Sequence, residues 1–249
     1  MTMGAMHGRR VLVTGGGSGT GADLARGFAE AGAGVVICGR RPEPLAEVAA
    51  RHHAIRAIAC DITDEASVSD LFRQAGPVDI VIANAGQSTS APFVKTSLED
   101  WQRMASVNLT GTFLTFREGL RQMTGWGRLI AVASTAGLKG YARTAPYAAA
   151  KHGVIGLVRS LALEVAAQPV TVNALCPGFL DTEMTAATIR NISEKTGRSA
   201  GDARAALEAF SPQKRLIRPD EVTAAALWLC APGSEGINGQ PIAIAGGEI

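Results

Sequence analysis

The 249-residue chain is poor in aromatics, at 5%, and its only two tyrosines are Tyr141 and Tyr147. Its four cysteines, Cys38, Cys60, Cys176 and Cys230, stand far apart in sequence with no Cys-x-x-Cys spacing. That pattern argues against a zinc site or a dense disulfide framework, and the four read as reduced core residues. No apolar run reaches the roughly 18 to 20 residues that a membrane helix needs, and the first ten residues carry no apolar signal-peptide region. A formal charge of only +2, from 24 basic and 22 acidic residues spread along the chain, gives no electrostatic footprint for nucleic acid or a membrane surface. The expectation is a cytoplasmic protein with a small-molecule substrate and no metal, nucleic-acid or membrane partner. Segment 1–8 is expected to be flexible.

What the chain does have is a 47% hydrophobic composition and 29 glycines, which describe a large core joined by many tight turns. Short apolar runs alternate with longer amphipathic patterns, the rhythm of strands in a parallel sheet covered by helices. The runs predict seven strands, at 11–13, 34–38, 55–59, 78–83, 128–133, 170–174 and 241–245. Helices are predicted at 21–31, 43–51, 65–75, 97–123, 146–167 and 219–230. No linker or repeat interrupts them. The fold class is therefore α/β, a single Rossmann-type doubly wound domain over 1–249, with a seven-stranded parallel sheet and helices on both faces. Segment 183–217 is longer than a connection requires and predicts a lid of one or two helices, broken at 197–201.

Directly after the first strand comes Thr14-Gly15-Gly16-Gly17-Ser18-Gly19-Thr20-Gly21, opening a helix. Glycines let the backbone approach a ligand closely, and a helix N-terminus offers free N–H groups and partial positive charge to a pyrophosphate. A tight turn with no ligand is the bland alternative. A second constellation is Tyr147-x-x-x-Lys151, thirteen residues after Ser134. Reducing a ketone by hydride leaves an alkoxide that needs a proton, and a tyrosine is a fitting donor. Its phenol ordinarily ionises near pH ~10, and a cation one helical turn away would favour the phenolate. Ser134, at the end of the fifth strand, can orient the substrate oxygen.

With these motifs in order, the chain resembles the short-chain dehydrogenase/reductase family. The resemblance covers nearly the whole sequence, adding Asp61, Asn84-Ala85-Gly86, Asn108, Pro177-Gly178 and Thr182 at family spacing. Thr20 replaces a usual isoleucine, and Ala83 a usual asparagine. The resemblance implies a catalytic tetrad of Asn108, Ser134, Tyr147 and Lys151, with the Asn108 main-chain carbonyl holding a relay water. It implies a nicotinamide dinucleotide bordered by Gly15, Gly17, Ser18, Gly19, Thr20, Gly21, Arg40, Arg41, Asp61, Ile62, Asn84, Ala85, Gly86, Tyr147, Lys151, Pro177, Gly178, Leu180 and Thr182. Asp61 would meet the adenine and Thr182 the nicotinamide carboxamide; either could instead be a helix cap. Lys151 can also reach the nicotinamide ribose.

The second strand ends in Cys38-Gly39-Arg40-Arg41, where an NAD-selective site would place a carboxylate. Arg40 suits a 2′-phosphate, so NADP(H) is expected over NAD(H), with solvated loop arginines as the alternative. The substrate pocket is expected to be mainly apolar, from Gln87, Phe93, Ser134, Thr135, Leu138, Tyr141, Phe179, Leu180 and Met184. The stretches around Ser134, Tyr147 and Pro177 look most like reductases of 3-oxoacyl thioesters and polyketides. Arg190, Lys195, Arg198, Arg204, Lys214 and Arg215 on the lid could meet a CoA phosphate or form a solvated face. Carrier-protein docking has less support, because Leu163 and Gln168 stand where the bacterial fatty-acid reductases have arginines. Ketone reduction is the expected activity; oxidation of a secondary alcohol, and a non-catalytic NADP-binding regulator, are the alternatives. Helices 97–123 and 146–167 carry apolar residues beyond one stripe, and the resemblance implies that they build a homotetramer.

Overall fold

A computed structural model describes residues 6–249. Its seven strands are β1 (Arg10–Thr14), β2 (Gly34–Gly39), β3 (Ile55–Ala59), β4 (Ile80–Ala83), β5 (Gly127–Val132), β6 (Val170–Pro177) and β7 (Pro241–Ile244). They form one all-parallel sheet in the order β3-β2-β1-β4-β5-β6-β7. β5 and β6 are buried at every position, as expected of strands covered on both faces. The order reverses between β1 and β4, and a doubly wound sheet opens a crevice there at the carboxyl ends of its strands.

One covering layer consists of α1 (Gly19–Glu30), α2 (Pro42–Ala49) and α9 (Pro219–Cys230), which pack Leu24, Phe28, Leu45, Val222 and Leu229 against the sheet. The other consists of α3 (Glu65–Ala75), α5 (Gly111–Gln122) and α6 (Ala145–Glu164), contributing Leu71, Phe72, Phe116, Val154 and Val158. Each fully buried aliphatic or aromatic side chain of this kind stabilises the fold by about 1.5–3 kcal/mol.

Two expectations need correction. The helix predicted over 97–123 is interrupted: α4 (Leu98–Ala105) passes into a π-helical turn, Ser106–Thr110, before α5 begins. One extra residue per turn rotates Asn108 inward, and a plain 3.6-residue period cannot register such a change. Met6, placed in the flexible segment 1–8, is 2% exposed, and its N–H bonds the Ala31 carbonyl at 2.9 Å. A buried thioether side chain beside α1 anchors the chain from there; residues 1–5 lie outside the described residues. The expectation of reduced core cysteines holds: β2–β3 pairing brings Cys38 and Cys60, distant in sequence, into one core cluster. All four cysteines are buried and free.

The lid consists of α7 (Glu183–Thr196) and α8 (Ala200–Glu208), separated near Gly197 and sharing a small core of Ile189, Ala203, Leu207 and Leu216. Its return to the main body is fixed by Arg215, whose guanidinium grips Glu221 of α9 through two bonds of 2.6 and 2.8 Å.

Candidate active site

A cleft of about 1260 Å³ runs along the carboxyl ends of β1, β4, β5 and β6. Its glycine end is built by the β1–α1 turn. Gly15 has φ +68°, a left-handed conformation that a side chain would strain. At Gly21 an added Cβ would collide with the Gly15 carbonyl oxygen, so only glycine lets α1 start this close to the turn. Thr14 locks the turn to the segment after β4: its hydroxyl accepts from the N–H groups of Asn84 and Ala85, both at 3.0 Å, and the Asn84 amide donates to its carbonyl at 2.9 Å. Ser18 flanks α1 without a side-chain capping bond, leaving its hydroxyl free at the helix N-terminus.

Every residue that the sequence assigned to a dinucleotide, from Gly15 through Arg40, Asp61 and Asn84 to Thr182, borders this one cleft. Two cap alternatives can now be weighed. Asp61 does not cap α3; Asp64 does, accepting from Ala66 at 3.0 Å. Asp61 instead accepts from the Thr63 N–H at 2.9 Å and hydroxyl at 2.7 Å. Burial pushes its pKa up, but those two bonds and the nearby Arg40 outweigh it, so the net shift is downward. Thr182 does precede α7, yet its hydroxyl makes no capping bond. Arg40 borders the cleft and forms no ion pair among the described residues. A continuous groove from glycine turn to tyrosine, with a helix N-terminus at one end, fits a nicotinamide dinucleotide.

Toward the other end, β5 delivers Ser134, whose hydroxyl accepts from the Ala136 N–H at 3.1 Å and so caps the 3₁₀ turn Thr135–Gly137. Tyr147 and Lys151 lie one turn apart on α6 and both face the cleft. Asn108 is fully buried: its amide pins the Gln87 backbone with bonds of 3.2 and 2.9 Å and also reaches the Met104 carbonyl at 3.0 Å. The tetrad is thus assembled in one place from separate elements.

Its electrostatics differ from the sequence expectation. Burial raises the Tyr147 phenol above its ordinary pKa, with a hydrogen bond from Ser134 opposing. Burial likewise lowers Lys151 to about 8. The Lys151 Nζ donates to the Val132 carbonyl at 2.9 Å and sits 5.7 Å from the centre of the tyrosine ring. Desolvation disfavours the charged form of each group, and it is the largest influence on both.

Of the expected substrate residues, Gln87, Ser134, Thr135, Tyr141, Phe179 and Met184 line the cleft, as does Leu180. Two do not. Phe93 lies on a 3₁₀ turn after Pro92 that leaves its ring 72% exposed to solvent. Leu138 follows the turn after Ser134 and packs into the core layer under β5 and α6. The sequence reading missed Phe210, which joins Tyr141 and Phe179 in a three-ring wall with centroid spacings of 5.3 to 6.2 Å. It also missed Lys139 at the rim and Arg143 in a small side pocket. Of the six lid cations, only Lys195 reaches the cleft; Arg204 pairs with Asp181 and Glu208, and Arg215 with Glu221.

Among the described residues, no group of three or more His, Cys, Asp or Glu is placed to hold a metal, and no helix is long and apolar enough to cross a membrane. The family model "short chain dehydrogenase" matches residues 9–193. The chain is 34% identical to the 3-oxoacyl-[acyl-carrier-protein] reductase FabG of Aquifex aeolicus, over 97% of this chain and 98% of the relative. It is 37% identical to the cis-4-hydroxycyclohexanecarboxylate dehydrogenase of Sinomonas cyclohexanicum, covering 98% of each. Among solved structures it is similar to a single-substitution variant of actinorhodin polyketide ketoreductase with NADPH, with TM-score 0.91, 32% identity, and 96% and 97% of the two chains covered. Full-length similarity to reductases and dehydrogenases, on a sheet that gathers Ser134, Tyr147 and Lys151 beside a glycine-rich turn, makes this chain an oxidoreductase of the short-chain dehydrogenase family.

Proposed function

We propose that the protein reduces a ketone with NADPH, and that the ketone belongs to a 3-oxoacyl thioester. The observation that carries this reading is a single cleft that puts an unpaired Arg40 at one end and Ser134, Tyr147 and Lys151 at the other. Arg40, with no carboxylate on β2 to satisfy, suits the 2′-phosphate that distinguishes NADPH. When bound, the cofactor supplies the hydride. Ser134 donates a hydrogen bond to the substrate oxygen and fixes the carbonyl. Tyr147, held protonated by burial, gives its proton to the oxygen as negative charge develops there. Lys151, with its pKa near 8, is mostly protonated at neutral pH and can return a proton to the phenolate. Asn108 holds the Gln87 backbone, in the segment after β4, against this site, and its main-chain carbonyl is assigned the relay water on the path from Lys151 to solvent.

A raised phenol pKa keeps Tyr147 protonated at neutral pH, the form in which it can donate to a carbonyl oxygen. Arg143 and Lys195, neither paired with a carboxylate among the described residues, flank a side pocket of about 130 Å³ at the outer end of the cleft. They suit the phosphate of a CoA-type thioester. The relatives named as ketoacyl reductases support the same substrate class. A second reading, oxidation of a cyclic secondary alcohol, is favoured by the three-ring wall of Tyr141, Phe179 and Phe210 and by the relative acting on a cyclohexane ring. We further assign the protein to the cytoplasm and to a homotetramer.

The deciding experiment follows NADPH oxidation with a panel of 3-oxoacyl-CoA, cyclic and aryl ketones. Turnover is expected to be fastest with 3-oxoacyl-CoA. Tyr147→Phe should lower kcat by about three orders of magnitude or more while NADPH affinity changes less than about threefold. Activity retained in that variant, or a preference for NADH, contradicts the assignment.

A further inference from the structure

The segment after β7 turns back beneath the cleft and buries a carboxylate there. Glu248 is 3% exposed at its side chain and does not itself line the cleft, yet it bonds two residues that do. The Tyr141 hydroxyl donates to its Oε1, and the Lys139 Nζ lies 2.9 Å from the same oxygen. Thr135 Oγ1 stands 2.6 Å from the Tyr141 hydroxyl. A carboxylate only accepts, and a phenol has one hydrogen, so Tyr141 must donate to Glu248 and Thr135 must donate to Tyr141. The direction of the chain is therefore fixed: Thr135 to Tyr141 to Glu248, with Lys139 closing it from the rim. Thr135 opens the 3₁₀ turn that Ser134 caps, and Tyr141 is one ring of the aromatic wall.

We infer that Glu248 is a positioning residue for substrate: it holds the Tyr141 ring against the cleft and, through Thr135, steadies the turn that presents Ser134. It also neutralises Lys139, which would otherwise stand as a free cation at the substrate end. This rests on reading the cleft as the active site, but not on the identity of the ketone. Glu248 touches neither the glycine turn nor Arg40, so its loss should affect the ketone and spare the cofactor. The Tyr141 phenol agrees with the geometry, since burial and the bond to Glu248 both push its ionisation up.

Two measurements test the inference. In a Tyr147→Phe background Tyr141 is the only tyrosine left, so tyrosinate absorbance against pH reports it alone. With Glu248 present it should ionise above the ordinary value of about 10, and Glu248→Gln should bring it down toward that value. In the otherwise native enzyme, Glu248→Gln and Tyr141→Phe should each raise KM for the best ketone about tenfold, with KM for NADPH within about twofold, and Glu248→Asp should recover part of the loss. An unchanged Tyr141 titration overturns the inference, as does a variant that loses NADPH affinity and ketone affinity equally. If no ketone is turned over, the proposed function fails, while the titration still decides the role of Glu248.

Discussion

Arg40 and Asp61 face the same end of the cleft, near enough for the guanidinium to lower the carboxyl pKa, yet Asp61 spends its hydrogen bonds on Thr63. The arginine is thus held near a carboxylate without being consumed by it, and its donors remain free for an anion. Arg40→Ala is expected to weaken NADPH binding about 10- to 100-fold, the value of one or two charge-assisted hydrogen bonds, and to change NADH binding less than about twofold. Fluorescence titration with both nucleotides measures it; equal weakening of the two would place Arg40 away from the 2′-phosphate. At this scale the reacting groups were legible, because Tyr147 and Lys151 are four residues apart on one helix and need only local structure to meet. Glu248 and Thr14 were not. Their partners lie 107 and 70 residues away, and nothing local marks a glutamate that will be buried or a threonine whose hydroxyl will accept two backbone bonds.

Among the elements, the β1–α1 turn is where backbone geometry matters most. Gly21→Ala drives a methyl into the Gly15 carbonyl and toward the Asn84 amide, 2.6 Å from the new carbon, so the helix must shift away from the turn. We expect a stability loss of about 1–3 kcal/mol with weaker NADPH binding. Thermal unfolding combined with nucleotide titration checks this, and native behaviour in both would show that the turn can relax. Strand and helix positions were largely readable, since the central apolar runs of β4, β5 and β6 are buried at every position and the covering helices show an apolar stripe. The π-helical turn was not, because a single extra residue shifts the register without altering composition, and it is this turn that carries Asn108 inward. Phe93, expected in the pocket, was not legible either, because the turn after Pro92 faces its ring to solvent.

On the scale of the whole molecule, α4, α5 and α6 leave Trp101, Phe113 and Leu163 outside the core, with Leu163 80% exposed. Apolar side chains left this open on neighbouring helices are suited to cover one another between copies of the chain. Light scattering is expected to give four times the chain mass of 25.7 kDa, and Leu163→Glu to shift the population toward smaller species by removing about 1.5–3 kcal/mol of burial per copy. A wild-type protein that runs as a monomer would end the tetramer proposal.

The sequence alone determined the order of strands and helices, the glycine turn and the Tyr147–Lys151 pair, because those depend on periodicity, on backbone freedom and on spacing within one element. Only the tertiary structure decided which residues share the cleft and in what protonation state they stand. Burial is a property of everything packed around a group: it lowers Lys151 and raises Tyr147 where local spacing promised a phenolate, and it sinks Glu248 beneath the site from the far end of the chain.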